Sequence, residues 1–366
     1  MATLRFFTDP HLGKVLISNT TPESRKRHTK FLTDNALSVV KCKHDVVCGG
    51  DLFDKFDNPA VVVRDGNAVS KHCSVVLGGN HDVENSSIAF GSLQLLSDMC
   101  YPEDGGDFTM PVYNEVVVES FEFDGLWLIA VPHHNTQELF EQALDKALTR
   151  ERTVAESDGT GTKMLLLHCN YDCDHATNDS SLNLSKAKAA ELLKDFDFIL
   201  IGHDHNAKTD FDGKLIVMGS ISPTSFGDCH VDHCFYDFDT GTKTFNKQVA
   251  WGKDRYLEVD VEQFLANDPT TMAESYDFIR VGGVLTPEQA PQMAKFVKAV
   301  WKNESGNAPF AVRVDAVVTA IKQGEMDTSA EMTMSFREKL AARLQDSPDL
   351  LEVWETVTAE IEETEQ

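Results

Sequence analysis

Gly79-Asn80-His81-Asp82 closes the short apolar run Ser74–Leu77, and its reading decides the fold. An amide, an imidazole and a carboxylate in consecutive positions, behind a glycine and just past a strand-like segment, make a turn that delivers polar side chains at the end of a sheet. Upstream, Gly50-Asp51-Leu-Phe-Asp54 follows Asp45–Cys48, and Asp9-Pro-His11 follows Leu4–Thr8. Downstream, His168 closes Met164–Leu167, and Gly202-His203-Asp-His205 follows Phe198–Ile201. One such pattern carries little, because Gly-Asp turns are common and a lone histidine is ordinarily structural. Five in order, each at a strand end, converge on one site.

Working outward, Val112–Ser120, Leu126–Val131, Lys163–His168, Lys214–Met218 and Cys234–Phe238 are further strand candidates. Glu23–Val40, Pro59–His72, Gln137–Arg150 and Leu184–Asp195 carry apolar residues at helical spacing. Asn183-Leu-Ser185 puts capping-type residues ahead of the last helix. Ala155–Thr162, rich in Gly and Thr, reads as a surface loop. The alternation predicts an α/β layered domain over residues 1–252 with its site at the C-terminal ends of strands. After Trp251 the character changes. Strands at Tyr256–Val261, Phe278–Val281 and Phe310–Val317 and a helix at Thr286–Lys302 predict a small α+β module over 255–328. Residues 330–366 hold two helical stretches, Phe336–Gln345 and Leu350–Ile361, split by Asp346-Ser-Pro-Asp349. That pair is too short for its own core, and reads either as an appendage on its own chain or as a docking arm.

The 366 residues carry a net charge of −26 and a pI near 4.8. Such acidity argues against non-specific binding to nucleic acid, which needs clustered Lys and Arg. The densest basic group is Lys14, Arg25, Lys26, Arg27, His28 and Lys30, a phosphate-facing cluster or a solvated helix face. Neither a basic-then-apolar leader nor a membrane-length apolar window is present, so the expectation is a cytosolic protein. Eight cysteines, several inside apolar runs, are expected to be reduced thiols. Cys169, Cys173, His175, Cys229, His230, His233 and Cys234 lack the C-x-x-C spacing of a structural zinc site.

The residue types at the five strand ends suit phosphodiester hydrolysis. Hydroxide must be driven into an anionic phosphorus, and two metals about 4 Å apart generate it and neutralise the non-bridging oxygens. A carboxylate bridges two cations, while imidazoles and an amide oxygen add donors without repelling the substrate. This mixed N/O set suits Mn²⁺, Fe²⁺ or Zn²⁺ better than Mg²⁺. His133 and His134 follow Val131, but no spacing makes them ligands, and Asp204 between two histidines is expected to face away.

The motif order resembles that of the calcineurin-like metallophosphoesterase superfamily over about residues 1–250. The resemblance implies a layered β-sandwich flanked by helices. It places Asp9, His11 and His205 on one metal, Asn80, His168 and His203 on a second, and Asp51 between them. It keeps His81 off the metals, beside the phosphate, to stabilise or protonate the leaving oxygen. Asp54, second acid of G-D-x-x-D, would pair with that histidine, and Asp82 would support the turn.

Within the superfamily, Phe7-Thr-Asp9-Pro-His11-Leu-Gly13 resembles the opening of the SbcD and Mre-eleven DNA-repair nucleases. Gly219-Ser-Ile-Ser-Pro-Thr-Ser225-Phe-Gly-Asp228 is similar to their G-S-x-x-x-T-S-F-G-E run, with Asp for Glu. The module at 255–328, with Tyr276-Asp-Phe-Ile-Arg280-Val its most family-like stretch, stands where those nucleases carry a capping domain that guides DNA. The resemblance implies Mn²⁺-dependent 3′-to-5′ exonuclease action on duplex ends and endonuclease action on single strands. It further implies an SbcC-type coiled-coil ATPase partner gripped by the C-terminal helices. It implies a homodimer through helices near 59–72 and 89–99, where Val61, Val62, Val63, Leu93 and Leu96 are apolar. The compact acidic form suits a prokaryotic or phage source. The rival expectations are a stand-alone phosphodiesterase or phosphatase for small nucleotides, and a non-catalytic scaffold for DNA ends.

Overall fold

The computed structural model describes residues 2–16, 18–82, 91–100, 108–109, 116–157, 161–173, 182–302 and 308–318. The chain divides into two units, Met1–Val317 and Val318–Gln366. The helical stretches expected at 336–345 and 350–361, and with them the 330–366 arm, lie outside the described residues.

In chain order the first unit begins with β1 (Thr3–Phe7), α1 (Pro22–Val40), β2 (Asp45–Cys48), α2 (Ala60–Ser70), β3 (Val75–Leu77) and α3 (Ser92–Cys100). There follow β4 (Phe108–Thr109), β5 (Glu119–Phe123), β6 (Leu126–Val131), α4 (Gln137–Ser157) and β7 (Thr162–His168). Next come β8 (Asn170–Tyr171), β9 (Asn183–Leu184), α5 (Lys186–Leu192), β10 (Phe198–Gly202) and β11 (Lys208–Asp210). The sandwich ends with β12 (Leu215–Val217), β13 (His233–Asp239) and β14 (Thr244–Trp251). Two six-stranded sheets result, β14-β13-β1-β2-β3-β4 and β11-β12-β10-β7-β6-β5.

Strand alternation sorts the core into layers. Leu4, Phe6, Val47, Val75 and Leu77 of the first sheet meet Leu128, Ala130, Met164, Leu166, Leu200 and Ile216 of the second between the sheets. On the outer side of the first sheet, Phe7, Val46, Cys48 and Val76 pack under α1, α2 and α3. Outside the second, Ile129, Val131, Leu165, Leu167, Ile199 and Ile201 pack under α4 and α5. The fold is therefore the expected α/β sandwich flanked by helices. α1 starts where its residues say it must. Thr21 and Ser24 each cap the other's main-chain N–H, at 3.1 and 2.9 Å, and Pro22 opens the first turn.

Three details differ from expectation. α4 continues to Ser157 and β7 starts at Thr162, so most of Ala155–Thr162 that is described is regular structure rather than loop. The described part of the expected strand 112–120 pairs only from Glu119. β14, not read from the sequence, pairs with β13 from Thr244 to Trp251.

Tyr256–Asp260, Phe278–Gly282 and Ala311–Val314 form a parallel three-stranded sheet. Val259, Ile279, Val281 and Val312 pack with Phe264, Met272, Met293 and Val300 from its helices, giving the module a core of its own. Two of those helices, Val261–Ala266 and Pro269–Ser275, are short and capped by the Asp260 and Asp268 carboxylates. A second cluster of Cys229, Trp251, Phe278, Phe310 and Ala311 seats the module on the sandwich. Asp277 fastens the joint, accepting from Trp251 Nε1 at 2.8 Å and from Arg255 Nη2 at 2.8 Å.

Candidate metal centre

Parallel strands β1, β2 and β3 of one sheet and β7 and β10 of the other end side by side. The turn after each delivers one or two of the polar residues singled out in the sequence. Four of these sit in left-handed backbone: Asp9 (φ 52°), His11 (φ 45°), Asp51 (φ 51°) and His203 (φ 96°). Such conformations cost about 1–3 kcal/mol each in non-glycine residues and persist where the surroundings impose them. Two glycines make room. A Cβ on Gly50, itself at φ 115°, would lie 2.1 Å from His168 Nδ1, and one on Gly79 would lie 2.1 Å from Asp51 Oδ1.

The side chains form three overlapping groups whose ligand atoms lie within 4.8 Å of one another: Asp9, His11 and His205; His11, Asp51 and His81; Asp51, His168 and His203. Asn80 joins the last, its Oδ1 2.8 Å from His203 Nδ1 and 3.1 Å from His168 Nε2. Asp51 is common to two groups, as a bridging carboxylate requires. All seven expected ligands are thus brought together.

Proton placement shows what the donor atoms can bind. His168 Nδ1 is 2.8 Å from the Gly49 carbonyl oxygen, which only accepts, so Nδ1 carries the hydrogen. In the neutral ring, Nε2 then turns a lone pair toward Asn80 Oδ1 at 3.1 Å and Asp51 Oδ1 at 3.5 Å. His205 Nδ1 lies 3.2 Å from Asp228 Oδ2, leaving its Nε2 3.0 Å from His11 Nε2. Asp9 Oδ1 is buried with no hydrogen-bond partner. Electron-rich atoms facing one another in a buried space require cations between them, and this donor set fits two divalent ions.

The electrostatics show the same demand for positive charge, which a proton on His168 meets when no ion takes that place. Burial lowers the His11 imidazole to about 4 despite Asp51 and Asp9. Burial also opposes charge on His168, yet Asp51, aided by Asp9 and the Gly49 carbonyl, outweighs it and lifts that ring to about 9. Asp51 is buried too, and His168, His11 and His81 nevertheless hold it far below the usual carboxylate range. Burial and the nearby Asp51 push Asp82 up to about 7. Its oxygens accept from the main-chain N–H groups of Leu52 (3.3 Å), Phe53 (3.1 Å) and Gly79 (3.0 Å), tying two of the site's turns together.

Asp54 departs from expectation. His81 Nδ1 is held by the Asp54 main-chain carbonyl at 2.7 Å, not by its carboxylate. The carboxylate turns to Lys14 Nζ at 2.9 Å and lies 3.7 Å from His11 Nδ1. The reason is steric economy: a carbonyl already fixed in the turn reaches the ring, and the buried side chain then takes the nearest cation. The His81 ring stands edge-on to His11, with centroids 4.8 Å apart.

Sequence reasoning left Asp228 without a role. Its Oδ2 holds His205 and accepts from Thr224 N (3.0 Å) and Oγ1 (2.7 Å), while its Oδ1 accepts from Ser225 Oγ at 3.1 Å. The signal that could have found it was the acid closing Gly219–Asp228. His133 is buried near His168, with ring centroids 6.4 Å apart, whereas His134 is used structurally on Pro132 O and Val117 N. Asp204 faces away to Lys208 and Asn206 N. His233 is satisfied by Ser220 and the Asp228 carbonyl, so it offers no zinc ligand, and the seven described cysteines with placed side chains are free thiols. The basic group divides. His28 is fully buried, Arg27 bonds Pro309 O at 3.1 Å and Lys14 serves Asp54, so these three form no common exposed face.

Among solved structures, a dimetal phosphatase from Danio rerio is similar over 64% of this chain and 91% of that one, at 14% identity and a TM-score of 0.39. A protein from Streptococcus pneumoniae described as a predicted phosphoesterase is similar over 68% and 90%, at 11% identity and a TM-score of 0.28. No curated protein sequence matches the chain. The calcineurin-like phosphoesterase family matches residues 3–207, a span that contains every ligand above, and the chain therefore belongs to that family of metal-dependent phosphoester hydrolases.

Proposed function

We propose that the chain is a two-metal DNA nuclease of the SbcD and Mre-eleven type, acting in repair or recombination. The observation that carries this reading is the Gly219–Asp228 run, which resembles that family's motif and lies between His205 and the module at 256–314.

Asp9, His11 and His205 would hold one ion, Asn80, His168 and His203 the other, with Asp51 shared. When bound, the ions would supply a water of lowered pKa and neutralise the phosphate's non-bridging oxygens, and among the ions this donor set suits the resemblance favours Mn²⁺. The chain's own residues do the rest. Asp51 is kept ionised by its three histidine neighbours, ready to orient the attacking water. His81, with its Nδ1 hydrogen committed to the Asp54 carbonyl, leaves Nε2 for the substrate, and in the doubly protonated ring Nε2 would give its proton to the departing 3′ oxygen and return to a lone pair. Lys14 neutralises Asp54 at the rim.

The partner reading is an SbcC-type coiled-coil ATPase docking on residues 330–366. The homodimer reading needs revision in its residues. Val62, Val63, Leu93 and Leu96 are buried in their own helical layer, whereas Val61 and Leu95 are 52% and 44% exposed and remain available. No helix among the described residues is long and apolar enough to cross a membrane.

The test is Mn²⁺-loaded protein on duplex and single-stranded oligonucleotides beside bis-p-nitrophenyl phosphate. Shortening of duplex from 3′ ends and internal cutting of single strands are expected. Turnover of the small diester with DNA left intact would replace this reading by a small-nucleotide phosphodiesterase, the outcome that the charge of −26 favours. A loaded protein inert toward every diester would leave a DNA-end scaffold.

A further inference from the structure

The loop Gly219–Cys229 meets His205 of the metal centre through Asp228, Thr224 and Ser220, and the module through other residues. On one side, Asp228 Oδ2 lies 3.2 Å from His205 Nδ1. On the other, the Phe226 ring stands edge-on to Phe278 of the module, with centroids 5.5 Å apart, and Cys229 is buried in the joint with Trp251, Phe278 and Phe310. The Pro223 carbonyl meets His28 Nε2 at 3.4 Å, and the His28 ring packs against Phe278 and Phe310 at 6.0 and 5.2 Å. Two points of this short loop, Phe226 and Cys229, therefore pack directly on the module, and a third, Pro223, meets it through His28 of α1.

Within the loop little slack remains. Both Asp228 oxygens are engaged, Oδ2 by Thr224 N and Oγ1 as well as His205, and Oδ1 by Ser225 Oγ. The main chain closes again at Ser220 N to His205 O, 3.3 Å. The carboxylate is thus rigid with respect to Phe226, and His205 is rigid with respect to the carboxylate. A partner that aims a ligand's other ring nitrogen fixes its tautomer and orientation, and its loss typically costs 10- to 100-fold in metal affinity.

We propose that seating of the 256–314 module on Phe226 sets the aim of His205 through Asp228, so that the module's position controls the affinity of the Asp9–His11–His205 metal site. Phe226, Phe278 and Asp228 are then positioning residues, and the Asn80–His168–His203 site, which the loop does not touch through any of these contacts, is spared. The inference rests on the metal-binding reading of the centre and not on the choice of substrate.

The experiment is equilibrium Mn²⁺ binding to the full chain, followed by the electron paramagnetic resonance of free Mn²⁺. Wild type should bind two ions. Asp228→Asn should weaken one of them roughly tenfold or more and leave the other. Asp228→Glu, which keeps the carboxylate, should recover most of that loss. Phe278→Leu should weaken the same ion at least about twofold, and should add nothing in the Asp228→Asn background because it acts through that carboxylate. If Phe278→Leu does not fold, judged by near-ultraviolet circular dichroism, Phe226→Leu tests the same contact from the loop side. Unchanged binding in the folded leucine variant, equal weakening of both ions, or full additivity with Asp228→Asn would overturn the proposal. A wild-type chain that binds no Mn²⁺ would instead overturn the metal reading itself.

Discussion

His81 Nδ1 lies 2.7 Å from the main-chain carbonyl oxygen of Asp54, and this single contact decides which nitrogen of the histidine is free. A carbonyl accepts only, so the hydrogen stays on Nδ1 and chemistry falls to Nε2. His81→Asn should retain both Mn²⁺ ions and lose about 10²-fold or more in kcat. Because the orienting oxygen belongs to the main chain, Asp54→Asn should keep the ring in place and cost far less, on the order of tenfold. Its loss should act through Lys14 and His11, which face the carboxylate. Steady-state hydrolysis of bis-p-nitrophenyl phosphate at saturating Mn²⁺ measures both. A His81→Asn variant with near wild-type turnover would remove the assigned role.

Gly50 offers a sharper structural test, since it combines φ 115° with a Cβ position 2.1 Å from His168 Nδ1. Gly50→Ala must move either the turn or the ligand, and the turn also hydrogen-bonds Asp9 N through Gly50 O at 3.1 Å. A loss of roughly 2–4 kcal/mol in unfolding free energy is expected, together with weaker binding at the His168 site. Urea titration of the metal-free chain reads the first and Mn²⁺ titration the second. Retention of both would mean that the His168 ring is not held where it lies.

The ligands were legible because each is local: a polar residue in a short turn directly after an apolar strand, with glycine where a Cβ would collide. What the sequence could not carry is who partners whom across the fold. Nothing near Asp54 in the chain says that its carboxylate meets Lys14 while its carbonyl takes His81. Asp228 lies more than twenty residues past His205, and only the closed loop brings them together. β14 escaped because Thr244–Trp251 lies at a sheet edge and is largely solvent-facing, so apolar alternation is weak there. The helix expected at Thr286–Lys302 is present as Ala290–Trp301, whereas the module's two short helices escaped because six or seven residues are too few for a periodic signal. On α2 and α3 the interface is implied by the resemblance alone, while the residues themselves favour ordinary core packing, and four of the five residues named lie in the core.

Metal binding should also be visible as stability. Ligand atoms that repel one another in the chelator-treated chain gain a common partner, and any ion that binds only the folded chain stabilises it by mass action. At a hundredfold excess over Kd, each Mn²⁺ should add about 2.7 kcal/mol. The melting midpoint of chelator-treated protein should therefore climb with Mn²⁺ concentration. Asp51→Asn, which removes the carboxylate shared by two ligand groups, should flatten that climb. An equal climb in both proteins would place the stabilising ions elsewhere.

His28 gives the pH dependence a defined sign away from the ligands. It is fully buried at the joint, ringed by Phe31, Phe278 and Phe310, and burial lowers its imidazole from 6.5 to about 4 despite the Pro223 carbonyl, the charge of Asp277 and the Lys14 carbonyl; the Lys14 ammonium also disfavours its protonation. Above about 6.5 the ring is neutral in both folded and unfolded chains, and below about 4 it is charged in both. Between these limits the unfolded chain binds a proton that the folded chain refuses, so stability rises with pH across that window. The shift corresponds to about 3 kcal/mol. Other groups titrate over the same range, so the informative quantity is a difference: urea midpoints of wild type and His28→Phe, each converted to free energy at pH 4 and at pH 7. Phenylalanine fits the aromatic surroundings and cannot take a proton, so the variant should gain less between the two pH values, by a margin of that order. Equal gains in the two proteins would show that His28 is protonated where it sits, and that the joint under the module is open enough to solvate its charge.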